Sequence, residues 1–300
     1  MRKTDPIEAT LDSLLSQLRS NKSRIAYEGD WGRYVAWLKA EGVSVLEARP
    51  RHVKQYVAHL NEEKKARSTC GRALSVIREV YGGLVVDEVI ETNPAREIKN
   101  PKQSKEPRTP FLKRDKMQQL LDLPVTNWKE RRARVCLSLL FGLGWRREEV
   151  AAMRVEDFKR DSSLWEVTGI VKGGKKLTVG VPTWVAEEID DWLRYAGIAK
   201  GAILPRSPTN RAPVSGAIIY NIVVDAAARA GLPKGSVSPH GIRRTNITLT
   251  GELGVSLKER QLSVGHSSGS TTERYDKATD ASKTAPGNVF ADMIKRRSKS

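Results

Sequence analysis

The 300 residues carry 39% hydrophobic side chains, enough to bury sizeable cores, and no stretch approaches the ~18 uninterrupted apolar residues of a membrane helix. Lys and Arg number 52 against 35 Asp and Glu, a formal charge of +17 that suits a polyanionic partner, because a phosphate backbone releases condensed counterions when it is neutralised. Cys70 and Cys136 stand far apart without metal-ligand spacing, which argues against a disulfide framework or a zinc site and leaves both as reduced core residues of a cytoplasmic protein.

Residues 1–20 mix acids and polar groups among apolar positions and read as a helix, not as a signal peptide. Over residues 23–39, Tyr27, Trp31, Tyr34 and Leu38 recur at the three-and-four spacing of a helix with one buried stripe. Val53, Tyr56, Val57 and Leu60 mark a helix after Pro50, and Ala73, Val76, Ile77, Val80 and Tyr81 another after Ser68, taken as its N-cap. His52 and His59 fall in these helices and read as packing or phosphate-contact residues. Asn93-Pro94 closes the bundle, since the residue before proline is steered away from helical angles, and a first domain is drawn at 1–98.

Residues 99–112 form a basic linker. Pro101, Pro107 and Pro110 stiffen it among Lys99, Lys102, Lys105 and Arg108. It is either a solvated hinge or a strap gripping a polyanion, in which case Lys102, Lys105 and Arg108 are its contacts. Of the +17 charge, +14 lies beyond residue 100. Within a second domain, 113–300, residues 117–123 and 133–143 read as helices. Trp165 and Val167, then Leu177, Val179 and Val181 after Gly173-Gly174, alternate as a β-hairpin. Helical spacing returns over 184–195 and 217–230 and in shorter segments to the end. The expected fold is mainly α with a small β-hairpin, a helical bundle followed by a mixed α+β domain.

Breaking a phosphodiester without a metal needs a nucleophile, cations for the non-bridging oxygens, and a proton donor for the departing sugar oxygen. The second domain offers candidates for each. Gly144-Trp145-Arg146-Arg147-Glu148-Glu149 supplies a guanidinium suited to a bidentate grip on phosphate, with Glu149 three residues on to orient it. Taken alone, such a run is far more often a solvated helix face than a phosphate grip. Lys172 stands before Gly173-Gly174 at the hairpin turn, with Lys175 and Lys176 reading as contacts to backbone phosphates. His240 and Arg243 open a helix after Pro239, and their i, i+3 spacing puts both on one face. Finally, Gly265-His266-Ser267-Ser268-Gly269-Ser270-Thr271-Thr272 leads into a segment carrying Tyr275.

Together these pieces resemble the tyrosine recombinase (phage integrase) family in identity, order and separation. The family's Gly-Leu-Arg motif with an acid three residues later is similar to Gly144-Trp145-Arg146 with Glu149. Its hairpin lysine resembles Lys172, its His-x-x-Arg box His240 and Arg243, and its Gly-His-Ser-Ser to Tyr run Gly265 through Tyr275. Trp145 replaces the usual Leu, Arg244 a common His, Leu177 a frequent Arg, and Ser263-Val264 an apolar pair. Arg244 either adds a phosphate contact or faces solvent.

The resemblance implies a compact Xer-like or simple integrase without an arm-binding domain. It implies that Tyr275 attacks the scissile phosphate to give a 3′-phosphotyrosine, with neither metal nor cofactor. Arg146 and Arg243 would stabilise the pentacovalent phosphorus, His266 would bond a non-bridging oxygen, and Lys172 would act as general acid. His240 would take the phenol proton, and Glu149 would position its neighbours. Expected partners are double-stranded DNA with inverted-repeat core sites and further copies of the chain in a tetrameric synapse. Val289, Phe290, Met293 and Ile294 form an apolar stripe in the tail that is expected to pack on a neighbouring protomer in preference to its own domain. The rivals are a type IB topoisomerase-like enzyme and a non-cutting architectural DNA-binding protein.

Overall fold

In a computed structural model that describes residues 5–18, 20–100, 111–160, 165–171, 174–265, 287 and 290, the chain divides into two compact units, Met1–Glu106 and Pro107–Ser300. The first holds helices α1 (Pro6–Gln17), α2 (Asn21–Ala40), α3 (Pro50–Glu62) and α4 (Arg67–Val86). Proline opens α1 and α3, where its missing N–H breaks no helical bond. Trp31, Tyr34 and Leu38 of α2, Val53, Tyr56 and Leu60 of α3, and Ala73 through Tyr81 of α4 on its apolar side form one core. The Tyr81 hydroxyl donates to the Val45 carbonyl at 2.9 Å, so this buried phenol is satisfied.

Ser68 is not the cap of α4. The helix starts at Arg67 behind Ala66, so Ser68 is its second residue and Cys70, in the same first turn, is buried. Beyond α4 the chain stays with the bundle. Asn93 donates to the Arg78 carbonyl at 2.9 Å and accepts from the Ala95 amide at 2.8 Å, while Ala95 and Ile98 are buried.

The second unit is built around α6 (Trp128–Leu143), buried at every position from Val135 to Leu143, as a helix apolar on all sides must be. Around it lie α5 (Arg114–Leu121), α7 (Arg147–Ala152), α8 (Thr183–Ala196), α9 (Gly216–Arg229), α10 (Pro239–Glu252) and α11 (Leu257–Ser263). Gly142 admits α8, since a Cβ there would stand 2.3 Å from Val185 Cγ2. Burial pushes the Cys136 thiol on α6 up to about 12, so it is an inert core residue.

An antiparallel sheet in the order β1 (Phe158–Arg160), β2 (Trp165–Val171), β3 (Lys175–Val181) completes the unit. The anticipated hairpin is β2 with β3, in a register that faces Thr168 with Thr178, their hydroxyls 2.8 Å apart. Strand β1 was not anticipated, because three residues are too few to show a period; its pairing of Phe158 with Val167 is a tertiary choice. The tail stripe needs a correction at one position. Phe290 is fully buried in the core of its own unit, and the Gly287 carbonyl accepts from Trp184 Nε1 at 3.1 Å, so apolar burial is available in cis. Val289, Met293 and Ile294 lie outside the described residues. Among the described residues, no helix is long and apolar enough to cross a membrane.

Candidate active site

Helix α6 ends on Gly144 at φ +64°, and a Cβ there would meet Asn246 Oδ1 at 2.5 Å, so both backbone and space demand glycine. The reversal sends Trp145 into the core, where its Nε1 donates to the Ser263 carbonyl at 3.0 Å. The indole lies against Gly169 of β2, whose Cβ would come within 2.6 Å of the ring. The departure from leucine at 145 is thus matched by a glycine in the strand beneath it.

Arg146 then becomes the N-cap of α7. The carboxylate of Glu149 accepts from the Arg146 amide at 2.7 Å and from Arg146 NH1 at 3.0 Å, closing the first turn and fixing the guanidinium together. On α10, the Ser238 hydroxyl accepts from the Gly241 amide at 3.1 Å and Pro239 occupies the first turn. This start projects His240 and Arg243 to one side. Arg243, buried at 3% side-chain exposure, donates to the Gly144 carbonyl at 2.9 Å and the Val264 carbonyl at 2.8 Å, and lies 3.9 Å from Glu149 Oε2.

Two guanidiniums therefore share one carboxylate. Burial and then the Arg146 charge lower the Arg243 pKa to about 10, with Glu149 opposing, and the group stays cationic at neutral pH. His240 is also held below its ordinary value, by desolvation first and then by the charges of Arg243, Arg244 and Arg146. Its ring is neutral at pH 7 and able to accept a proton.

A cleft of about 400 Å³ is lined by Arg146, Arg147, Glu148, Tyr220, Ser238, Pro239, His240 and Arg243. Of the residues singled out from sequence, Arg146, Glu149, His240 and Arg243 come together here. Lys175 and Lys176 are exposed at the start of β3, and Arg244 is half-buried beside Arg243. Lys172, His266 and Tyr275, like Lys102, Lys105 and Arg108, lie outside the described residues. Among the described residues next to them in the chain, a Cβ on Gly265 would sit 3.3 Å from Val171 Cγ2 and 3.1 Å from Leu177.

Sequence reasoning missed Tyr220, Ser238, Arg147 and Glu148 as cleft residues. Ser238 before Pro239 was a readable helix start. Tyr220 gave no local signal, because α9 reaches the cleft through packing on α6, α7 and α10; at α7 the Glu148 carboxylate lies 2.4 Å from the place of a Gly216 Cβ.

Residues 110–282 match the phage integrase family, and residues 7–87 match the phage integrase N-terminal SAM-like domain. The chain belongs to the phage integrase family, the tyrosine recombinases, enzymes that cleave and rejoin DNA. It is similar to the tyrosine recombinase XerD of Chlorobaculum tepidum, 29% identical over 91% of this chain and 93% of the relative. It is also similar to XerC of Chlamydia pneumoniae, 30% identical over 75% of this chain and 72% of the relative. In fold it matches a lambda integrase dimer bound to a COC′ core site, with a TM-score of 0.70 and 17% identity over 91% of this chain and 97% of that one. XerH bound to its difH substrate matches with a TM-score of 0.62 and 16% identity over 80% and 71% of the two chains.

Proposed function

We propose that the chain is a site-specific recombinase that exchanges DNA strands between inverted-repeat core sites through a 3′-phosphotyrosine at Tyr275 and a Holliday junction. The observation that carries this reading is the pair Arg146 and Arg243 flanking one buried carboxylate, with a neutral His240 in the same cleft. A net positive charge, held rigidly before any substrate arrives, matches the extra negative charge of a pentacovalent phosphorus.

In this reading the Tyr275 phenolic oxygen bonds to phosphorus while the bond to the 5′ oxygen breaks. The phenol proton passes to His240, and the Lys172 ammonium protonates the leaving 5′ oxygen. A 5′ hydroxyl from the partner strand then attacks the phosphotyrosine, restoring the phenol and a continuous strand, so the bond's energy is conserved without ATP. His266 bonds a non-bridging oxygen, and Glu149 positions both arginines. Residues 1–98 act as a core-binding domain and 99–112 as a basic strap, with Lys102, Lys105, Arg108, Lys175, Lys176 and Arg244 on DNA phosphates. A similar lambda integrase is described as a tetramer bound to a Holliday junction, which supports a tetrameric synapse of this chain acting in the cytoplasm on chromosomal or mobile DNA.

The test is a core-site duplex nicked so that the released 5′ fragment diffuses away, trapping the covalent adduct for denaturing electrophoresis. The unaltered chain accumulates the adduct, whereas Tyr275→Phe binds equally and forms none. An undiminished adduct in that variant removes the proposal. Recombination of two-site plasmids, against mere supercoil relaxation, separates a recombinase from a topoisomerase-like enzyme.

A further inference from the structure

In the helical unit, Asp30 on α2 is buried at 1% exposure, yet two arginines converge on its carboxylate. Arg33 donates to it through NH2, and Arg72 from α4 donates through Nε at 2.5 Å and through NH2 at 3.4 Å. One negative charge faces two positive ones, and the guanidinium side chains remain 55% and 43% exposed. Among the described residues, Arg33 Nε and NH1 and Arg72 NH1 have no acceptor.

The surface beside them is bare. Gly29 and Gly32 sit inside α2, where glycine weakens a helix relative to alanine. Packing explains neither. A Cβ at Gly32 would meet nothing within 4 Å, and one at Gly29 would meet only the Arg33 guanidinium, 3.4 Å from NH1. Two held forks next to a helix surface lowered at Gly29 and Gly32 suit a ligand that comes close to the backbone there. A tetrahedral phosphate offers oxygens to two forks at once, while a base edge in the groove offers its acceptor pair to a single fork.

We infer that Asp30 is a positioning residue that holds Arg33 and Arg72 as a paired grip for a backbone phosphate of the DNA substrate, with Gly29 and Gly32 clearing its approach. The inference rests on the recombinase reading above. It predicts a result that simple charge counting reverses. Asp30→Asn removes a negative charge from a DNA-facing surface, which by Coulomb attraction alone tightens binding. As a positioning residue its loss frees two long side chains, and binding weakens by on the order of tenfold.

The experiment measures fluorescence anisotropy of a labelled ~30-base-pair duplex with the full-length chain over a salt series, well below each variant's melting midpoint. Asp30→Asn weakens binding; Arg33→Gln and Arg72→Gln each flatten the slope of log affinity against log salt, and the two together flatten it by roughly 0.9, the share of one phosphate. Gly32→Ala raises the melting temperature but weakens binding, an opposition that a purely structural role does not produce. Equal or tighter binding by Asp30→Asn, or salt slopes unmoved by the arginine variants, overturns the inference while leaving the recombinase reading intact. If the unaltered chain fails to bind the duplex even at low salt, the recombinase reading falls and takes the inference with it.

Discussion

Replacing Glu149 with glutamine tests the heart of the cleft, because this carboxylate alone meets both Arg146 and Arg243 among the described residues. Its side chain is 6% exposed and that of Arg243 3%, so solvent screens their interaction little. Glutamine keeps an oxygen for the Arg146 amide but removes the negative charge from two interactions, the hydrogen bond from Arg146 NH1 at 3.0 Å and the ion pair with Arg243 at 3.9 Å; at about 1–1.5 kcal/mol each, the loss is about 2–3 kcal/mol. At about 2–4 °C per kcal/mol for a unit of this size, the catalytic unit should melt roughly 5–10 °C lower. The unmatched guanidiniums should also gain affinity for oxyanions, so inorganic phosphate raises the melting temperature more in Glu149→Gln than in the unaltered chain. Cleavage of the nicked duplex should slow on the order of a hundredfold, since small displacements of positioning groups are costly in the transition state. Differential scanning fluorimetry with and without phosphate, alongside single-turnover cleavage, reads all three effects. Unchanged melting and unchanged cleavage would refute the shared-carboxylate account.

Gly144→Ala should cost about 1–2 kcal/mol for the left-handed backbone, with a further loss from the clash at Asn246 Oδ1; urea unfolding measures the first and cleavage assays the consequence for Arg243. Phe290→Ala should destabilise the monomer by about 3–5 kcal/mol, because the ring is fully buried in its own unit, and an unchanged melt at low protein concentration would contradict packing in cis. Desolvation and then the charges of Arg243, Arg244 and Arg146 lower the His240 pKa, so the acid limb of cleavage should lie below that of an ordinary imidazole; Arg244→Gln removes one depressing charge and should move that limb upward in a single-turnover pH profile. The same shift has a stability sign. The unfolded imidazole takes its proton near 6.5 and the folded one only at lower pH, so this group's contribution to stability is full above 6.5 and diminishes as pH falls below it.

Much of the fold was legible because its helices are amphipathic. The stripes Trp31, Tyr34, Leu38 and Val76, Ile77, Val80 all face one core, as their spacing implied. The hairpin was equally readable from alternation on either side of the two glycines. What escaped was set by tertiary choice. Strand β1 is defined by its pairing with β2, Phe158 facing Val167, and α4 begins at Arg67 with no side-chain cap to mark it. In the cleft, the i, i+3 spacing of His240 and Arg243 and the i, i+3 link from Arg146 to Glu149 are local and could be read. The bonds from Arg243 to Gly144 and Val264 join residues 99 and 21 positions away, and no local pattern encodes them.

Those two bonds also make the arginines unequal. Arg243 directs part of its fork at carbonyls that end α6 and follow α11, so the same side chain joins three elements and presents charge to the cleft. A lysine there carries the charge but, as a point donor on a flexible stem, cannot span both carbonyls in a fixed plane. Arg146 is different: its guanidinium is a third exposed and donates to the Glu149 carboxylate within its own helical turn. Loss of the Arg146 head therefore separates chemistry from folding, whereas loss of Arg243 removes both together. The anion-binding cleft and the junction of α6, α10 and α11 are one structure, and the precision of the first is inherited from the packing of the second.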